Sequence, residues 1–361
     1  MAKKKLLVFS TQLLETGGIE SHIKEFLAQM AATGLYETDL VVLNARLSLQ
    51  QKKQLEDFCR WVYMPGSKGI LNKFSFLVIM IRGLFRKYDA LYTNGQGNSI
   101  SLIKKVFNYK KWIHHHHTSG DLADQQTWTD NYKQSLKQAD VVVACSTKNA
   151  GYMMPVLGRE VITIPCFSKK IDIVKSRKSE DEKIGKIELG YYGRLIPEKG
   201  IDLLCKLSND PDMENIRFHI WGEGQRYDKV FFESYPQLIY HGKFNGQKEL
   251  EQVLQVIDGY LLLSVHPEGL PISLLELMSA GIPWMSTSKG GISDIAIDPM
   301  ATRLLESLEP YDELKNKILN FADDIAMGKI SSDNQKHLYN TRFAAPVLVT
   351  SWSNVLFNNV N

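Results

Sequence analysis

Short apolar stretches alternate with segments of helical spacing along the whole 361-residue chain. Residues 6–10, 39–43, 90–93, 112–116, 141–146 and 161–164 read as strands. Between them apolar side chains recur at helical steps, as at Ile19, Ile23, Phe26, Leu27 and Met30. Strands that are apolar at nearly every position and separated by helices predict a parallel sheet covered on both faces. A stretch rich in Lys, Ser, Glu and Asp then interrupts the pattern, and 171–186 reads as a linker. The alternation restarts with strands at 187–192, 217–221, 238–240, 259–264 and 283–286. The chain is therefore expected to be α/β, with two doubly wound Rossmann-like domains, 1–170 and 187–339. Ligands in such sheets bind outside the carboxyl ends of the strands, so two facing sheets would offer a central cleft. The aromatic helical tail, about 340–361, is expected to pack back on the first domain.

Length agrees with two domains at roughly 100–200 residues each. The longest apolar run, Phe76 to Ile81, is six residues, and a membrane-spanning helix needs about 20. The short apolar run after Lys3-Lys4-Lys5 reads as a buried first strand and not as a signal peptide. Cys59, Cys145, Cys166 and Cys205 have no paired spacing and read as free thiols of a reducing cytoplasm. The net charge of +3 hides an asymmetry. Residues 1–178 carry 26 Lys/Arg against 14 Asp/Glu, and the remainder 17 against 26. A basic half points to an anionic partner: nucleic acid, a membrane surface or a phosphorylated ligand.

The distinctive residues all follow strands. Gly17-Gly18 opens a helix whose N-terminal N–H groups suit an anion. Gly193-Arg194 and Glu198-Lys199-Gly200 place two cations where a diphosphate could be gripped. Gly222-Glu223-Gly224 reads as a close-approach turn. Glu268-Gly269-Leu270-Pro271 lies in a loop, and Glu276 in the helix that follows and stops at Gly281. Carboxylates accept hydrogen bonds from paired hydroxyls, so both glutamates suit a sugar or ribose.

This order of motifs resembles the retaining glycosyltransferases of family 4, which have the GT-B fold; the likeness is densest over 187–295. The resemblance implies a nucleotide-diphosphate sugar, with a UDP-sugar the first expectation, held mainly on the second domain. Glu276 would bind the ribose and Glu268 the transferred sugar. Arg194 and Lys199 would neutralise the diphosphate, with Gly17 and Gly18 reaching it from the other domain. Backbone near Gly269, Leu270 and Pro271 would approach the phosphates, beside Gly193, Gly222 and Gly224, and Lys243-Phe244 would lie near the base. It also implies a histidine at the reacting sugar, matched here by His117 with His116 as the alternative.

The four consecutive histidines 114–117 face alternate sides of a strand, so they are not expected to converge on one ion, and no cysteine or carboxylate stands nearby at ligand spacing. Asp210-Pro211-Asp212 precedes a strand and reads as a proline turn. Transfer without a metal or other cofactor is the expectation. The acceptor would be a glycan or lipid-linked hydroxyl in polysaccharide or glycolipid synthesis. The basic amphipathic stretch 67–87 would touch the inner face of the cell membrane from the cytoplasm. No nucleic-acid module is seen. A non-catalytic sugar-nucleotide binder and an epimerase of the same fold are the rival readings.

Overall fold

The structure is a computed structural model and describes residues 2–64, 70–173, 186–244 and 246–358. Two compact units divide the chain: 1–168 with 344–361, and 169–343. Most of the expected linker lies outside the described residues. Its first part is not a linker, because Ile171 and Ile173 are buried in the second unit and the Ile171 N–H donates to Ser279 Oγ.

The first unit is built on seven strands: β1 (Lys4–Leu14), β2 (Tyr36–Arg46), β3 (Trp61–Tyr63), β4 (Lys87–Asn94), β5 (Asn108–His116), β6 (Val141–Ala144) and β7 (Ile162–Thr163). They form one parallel sheet in the order β3-β2-β1-β4-β5-β6-β7. Alternation along β1 feeds a core on each face. Leu6 and Val8 pack with Ile23, Phe26 and Trp352, whereas Leu7 and Phe9 pack with Ile100, Ile103 and Leu136. Each such side chain contributes roughly 1.5–3 kcal/mol on burial. β1 runs past the apolar stretch because Gln12 and Leu13 still pair with Asn44 and Ala45.

Helix Gly18–Ala32 turns Ile23, Phe26, Leu27 and Met30 onto this sheet. Helix Ala345–Phe357 adds Leu348, Trp352, Val355 and Leu356 to the same face, and Phe26 meets Trp352 edge-on at 5.4 Å. On the other side, helix Ile70–Phe85 is anchored by Ile79 and leaves Leu84 and Phe85 77% and 86% exposed. Its cations are less free than the charge count suggested. Arg82 reaches the buried carboxylate of Asp39 at 3.0 Å, alongside Arg60 at 3.1 Å and the Tyr88 hydroxyl at 2.7 Å, and Arg86 pairs with Glu37.

The second unit has six parallel strands: β8 (Ile187–Tyr192), β9 (Ile216–Trp221), β10 (Leu238–Tyr240), β11 (Gly259–Leu262), β12 (Trp284–Thr287) and β13 (Thr302–Leu305). Their order is β10-β9-β8-β11-β12-β13. The direction of winding reverses beside β8, so the chains leaving β8 and β11 part and open a crevice at the carboxyl edge. Helix Ile272–Ala280 is buried on most of its surface and ends at Gly281 with φ 76°, two residues before Pro283. Among the described residues no helix is long and apolar enough to cross a membrane.

Candidate functional site

Three loops at the carboxyl edge of the second sheet are laced together by their backbones. Gly193 N–H donates to Trp221 O, Leu195 N–H to Glu223 O at 3.1 Å, and Gly222 N–H to Gly242 O at 2.8 Å. This lacing explains the glycines. Gly222 has φ 140°, and a Cβ there would lie 1.9 Å from the Gly193 carbonyl oxygen; one on Gly224 would lie 1.8 Å from Leu195 O. Tyr191 Oη donates to the Arg194 carbonyl and fixes the turn after β8. Arg194 itself is exposed, and no carboxylate pairs with its guanidinium among the described residues. The chain then makes a tight turn at Pro197–Lys199 and enters helix Ile201–Ser208.

Lys199 points at the loop after β11. Its Nζ lies 2.5 Å from Glu268 Oε1, which also accepts from Ser264 Oγ at 2.5 Å. Both side chains are mostly shielded from solvent, at 18% and 14% exposure. The Glu268 backbone is held by a bridge to Gly290 and by the Gly291 N–H. Glu276, on the buried helix, accepts from Tyr192 Oη at 3.1 Å. Desolvation pushes its carboxyl up to about 7, against the lowering effects of Tyr192 and Lys169. Phe244 meets Tyr192 edge-on at 5.8 Å, and Lys243 pairs with Glu223 at 2.9 Å. Leu270 is buried, and Pro271 caps the helix that carries Glu276.

The second unit therefore brings Gly193, Arg194, Lys199, Gly222, Gly224, Lys243, Phe244, Glu268, Gly269, Leu270, Pro271 and Glu276 to one edge of one sheet. Such an edge can grip a diphosphate with cations and hold hydroxyls with carboxylates. Sequence reasoning missed Tyr192, Ser264, Lys169 and the Gly290-Gly291 turn. Tyr192 and Ser264 stand beside the quoted motifs, and the strand-to-loop position was the available signal. Asp210 and Asp212 precede β9, away from this edge: Asp210 accepts from Asp212 N–H and from Tyr311 Oη, and Asp212 pairs with Lys315, Tyr311 and Lys315 both lying on the helix after β13.

Gly17, Gly18 and His117 belong to the first unit. The helix start at Gly18 already faces a carboxylate. Glu20 folds back so that its Oε1 accepts from Leu14 N–H at 3.3 Å and its Oε2 fills the place where a Cβ on Gly17 would stand. The histidine run divides by face. His114 and His116 both reach Tyr132 Oη, at 2.9 and 3.0 Å, and His116 Nε2 lies 2.9 Å from Asp124. His115 and His117 turn the other way and meet two cysteines. Cys145 Sγ is 3.4 Å from His115 Nε2 and 3.7 Å from His117 Nδ1, and Cys166 Sγ is 3.7 Å from His117 Nδ1. This corrects the reading that no cysteine stands near the run, since spacing along the chain concealed proximity across the sheet.

Residues 172–336 match the family described as Glycosyl transferases group 1. An uncharacterized glycosyltransferase of Methanocaldococcus jannaschii is 28% identical over 148 residues, 40% of this chain and 41% of that protein. A putative colanic acid biosynthesis glycosyltransferase, WcaL of Escherichia coli K12, is 25% identical over 181 residues, 46% of this chain and 44% of its own length. The matches thus span less than half the length of these curated relatives. Anabaena HepE, solved in complex with UDP and glucose, superposes with a TM-score of 0.70 at 16% identity, over 97% of this chain and 98% of that one. The fold is GT-B, as the family resemblance implied, and its two parallel sheets are those that the alternation of strands and helices predicted.

Proposed function

We propose, from the match of residues 172–336 to the group 1 glycosyltransferases, that the chain is a retaining, metal-independent glycosyltransferase. It moves a sugar from a nucleotide-diphosphate sugar, most simply a UDP-sugar, to a glycan or lipid-linked hydroxyl. The observation that carries this reading is the pairing of Lys199 with Glu268 beside an unpaired Arg194, on the edge that also holds Glu276. Arg194 and Lys199 take the diphosphate, Glu268 the hydroxyls of the transferred sugar, and Glu276 the ribose hydroxyls. The acceptor oxygen attacks the anomeric carbon on the face from which the nucleotide diphosphate leaves. As that carbon–oxygen bond breaks, the leaving phosphate takes the acceptor proton, and the two cations stabilise the charge gathering on it. The roles of Gly17, Gly18 and His117 toward the donor rest on the family resemblance alone. The UDP named with HepE supports a UDP donor, and the colanic acid named with WcaL supports a polysaccharide context.

A panel of nucleotide sugars, read first by thermal shift and then by nucleotide release with acceptor glycans, tests the proposal. A donor that binds and releases its nucleotide only when an acceptor is present is the expected result. Binding with no release under any acceptor identifies a non-catalytic binder, and isomerised sugar without acceptor identifies an epimerase. Peripheral membrane contact is part of the same reading, supported by the exposed Leu77, Val78, Met80, Ile81, Leu84 and Phe85 of one helix. Flotation with vesicles tests it: equal recovery of the wild type and a Leu84→Ser/Phe85→Ser variant overturns the contact.

A further inference from the structure

Strands β5, β6 and β7 lie side by side, and each delivers a metal-binding side chain at its carboxyl end. Residues two apart on a strand share a face, so His115 and His117 come out together while His114 and His116 take the opposite side. Register pairs His116 with Ala144, which brings Cys145 level with His117. Ala144 in turn pairs with Thr163, and the chain leaving β7 returns Cys166 to the same spot. One ligand atom from each of His115, His117, Cys145 and Cys166 falls within 4.8 Å of every other. His115, Cys145 and Cys166 are buried.

We propose that these four residues form a tetrahedral Cys2His2 site for a zinc-type divalent cation. The sulfur–nitrogen separations fit one, and the sulfur pair would open by about 0.5 Å to admit it. Bonds of about 2.3 Å to sulfur and about 2.0–2.1 Å to nitrogen, set at tetrahedral angles, give sulfur–nitrogen edges of about 3.5 Å and a sulfur–sulfur edge of about 3.8 Å. The observed sulfur–nitrogen separations are 3.4, 3.7 and 3.7 Å, and the two sulfurs are 3.3 Å apart. Thiolate with imidazole is the donor set that favours zinc over magnesium or calcium. A second layer orients the first. Tyr92 Oη lies 2.8 Å from His115 Nδ1, which turns Nε2 to the sulfurs; it also lies 3.2 Å from His22 Nε2, whose Nδ1 accepts from Phe167 N–H at 2.9 Å. His117 gives Nδ1 to the cluster, and its Nε2 has no partner among the described residues.

With all four positions supplied by protein the site is closed, so its role is structural: it ties the ends of three neighbouring strands. All four ligands belong to the first unit, and His117, giving only Nδ1 to the metal, keeps Nε2 for the donor role that the family resemblance gives it, so the transfer step itself involves no metal.

The test uses the full chain, purified without nickel resin and under reducing conditions. Elemental analysis is expected to find one zinc per chain. After chelation, anaerobic titration with Co2+ should give thiolate-to-cobalt absorption and the intense visible bands of tetrahedral cobalt, saturating at one equivalent. Cys145→Ser and Cys166→Ser should lose these bands, and Cys59→Ser and Cys205→Ser should keep them. Should the first pair not fold, the wild type decides alone, because chelator is expected to lower its melting temperature and zinc to restore it. Wild type that holds no zinc and gives no thiolate–cobalt band overturns the proposal. So does an intact mass short of two hydrogens with Cys145 joined to Cys166 under those conditions, or loss of the bands in Cys59→Ser as complete as in Cys145→Ser.

Discussion

Lys199 Nζ and Glu268 Oε1, 2.5 Å apart, join the loops that follow β8 and β11 across the crevice where the winding reverses. On the proposed assignment, a donor diphosphate would compete with Glu268 for the ammonium, and a sugar hydroxyl with Lys199 for the carboxylate. Removing either partner therefore disturbs the other. Lys199→Ala and Arg194→Ala should each lower turnover roughly 10²–10³-fold, the range for one preorganised donor. Lys199→Ala combined with Glu268→Gln should cost less than the product of the single effects. Steady-state kinetics of these variants, with Glu268→Gln alone as the fourth, checks this, and wild-type turnover in Lys199→Ala refutes the assignment.

On the proposed ribose role of Glu276, donor binding should depend on pH. Burial pushes the Glu276 carboxyl up to about 7 in the fold, from an ordinary value of 4.5. A carboxylate accepts ribose hydroxyls best when ionised, so donor affinity should rise as pH rises through about 7. A nucleotide-diphosphate sugar has no phosphate group titrating there to confuse the measurement. Stability should run the opposite way. The folded chain keeps a proton that the unfolded chain releases, so stability falls as pH climbs from 4.5 toward 7. Glu276→Gln should flatten both trends in calorimetric titrations and melts across that window.

Gly222→Ala would drive a methyl group to 1.9 Å from the Gly193 carbonyl, at a φ that side chains rarely adopt. The loops carrying Arg194 and Lys243 would shift apart. The expected outcome is a donor affinity at least tenfold weaker, with a small change in melting temperature. Calorimetric binding of UDP or of the donor found by screening checks it.

Asp39 concentrates positive partners on a carboxylate with no solvent exposure. Asp39→Ala leaves Arg60, Arg82 and Arg86 crowded without their shared counter-charge. Breaking a buried pair in this way costs about 3–5 kcal/mol, which a shift in the urea midpoint at unchanged slope will show. Asp39→Asn should cost less, because an amide oxygen still accepts from Tyr88.

The α/β alternation was legible because strands buried on both faces leave apolar runs that polar helix faces separate. β3 and β13 were not legible. One is three residues, Trp61–Tyr63, and the other, Thr302–Leu305, mixes Arg303 into its centre. The glycines of the loops after β8 and β9 could be found from sequence, since close backbone approach leaves no other residue type. What Ser264 and Tyr192 do there could not, since each acts on a residue set by a different loop or helix. The cation count of the first half does not say which charges are free. Arg60, Arg82 and Arg86 add to it, yet in space they are held by Glu37 and Asp39. The cysteine–histidine cluster was hidden for a related reason, because only the register of β5, β6 and β7 unites it.

Trp352, with no exposed surface, completes a core begun by Leu6 and Val8. During synthesis those early strands leave the ribosome long before the closing helix exists. At about 5–20 residues per second the wait lasts on the order of ten seconds or more. Through that interval the face beside Phe26 lacks the helix that covers it in the folded chain. For the same reason, a fragment cut after residue 168 should be made insoluble and recovered when the 344–361 peptide is supplied alongside it.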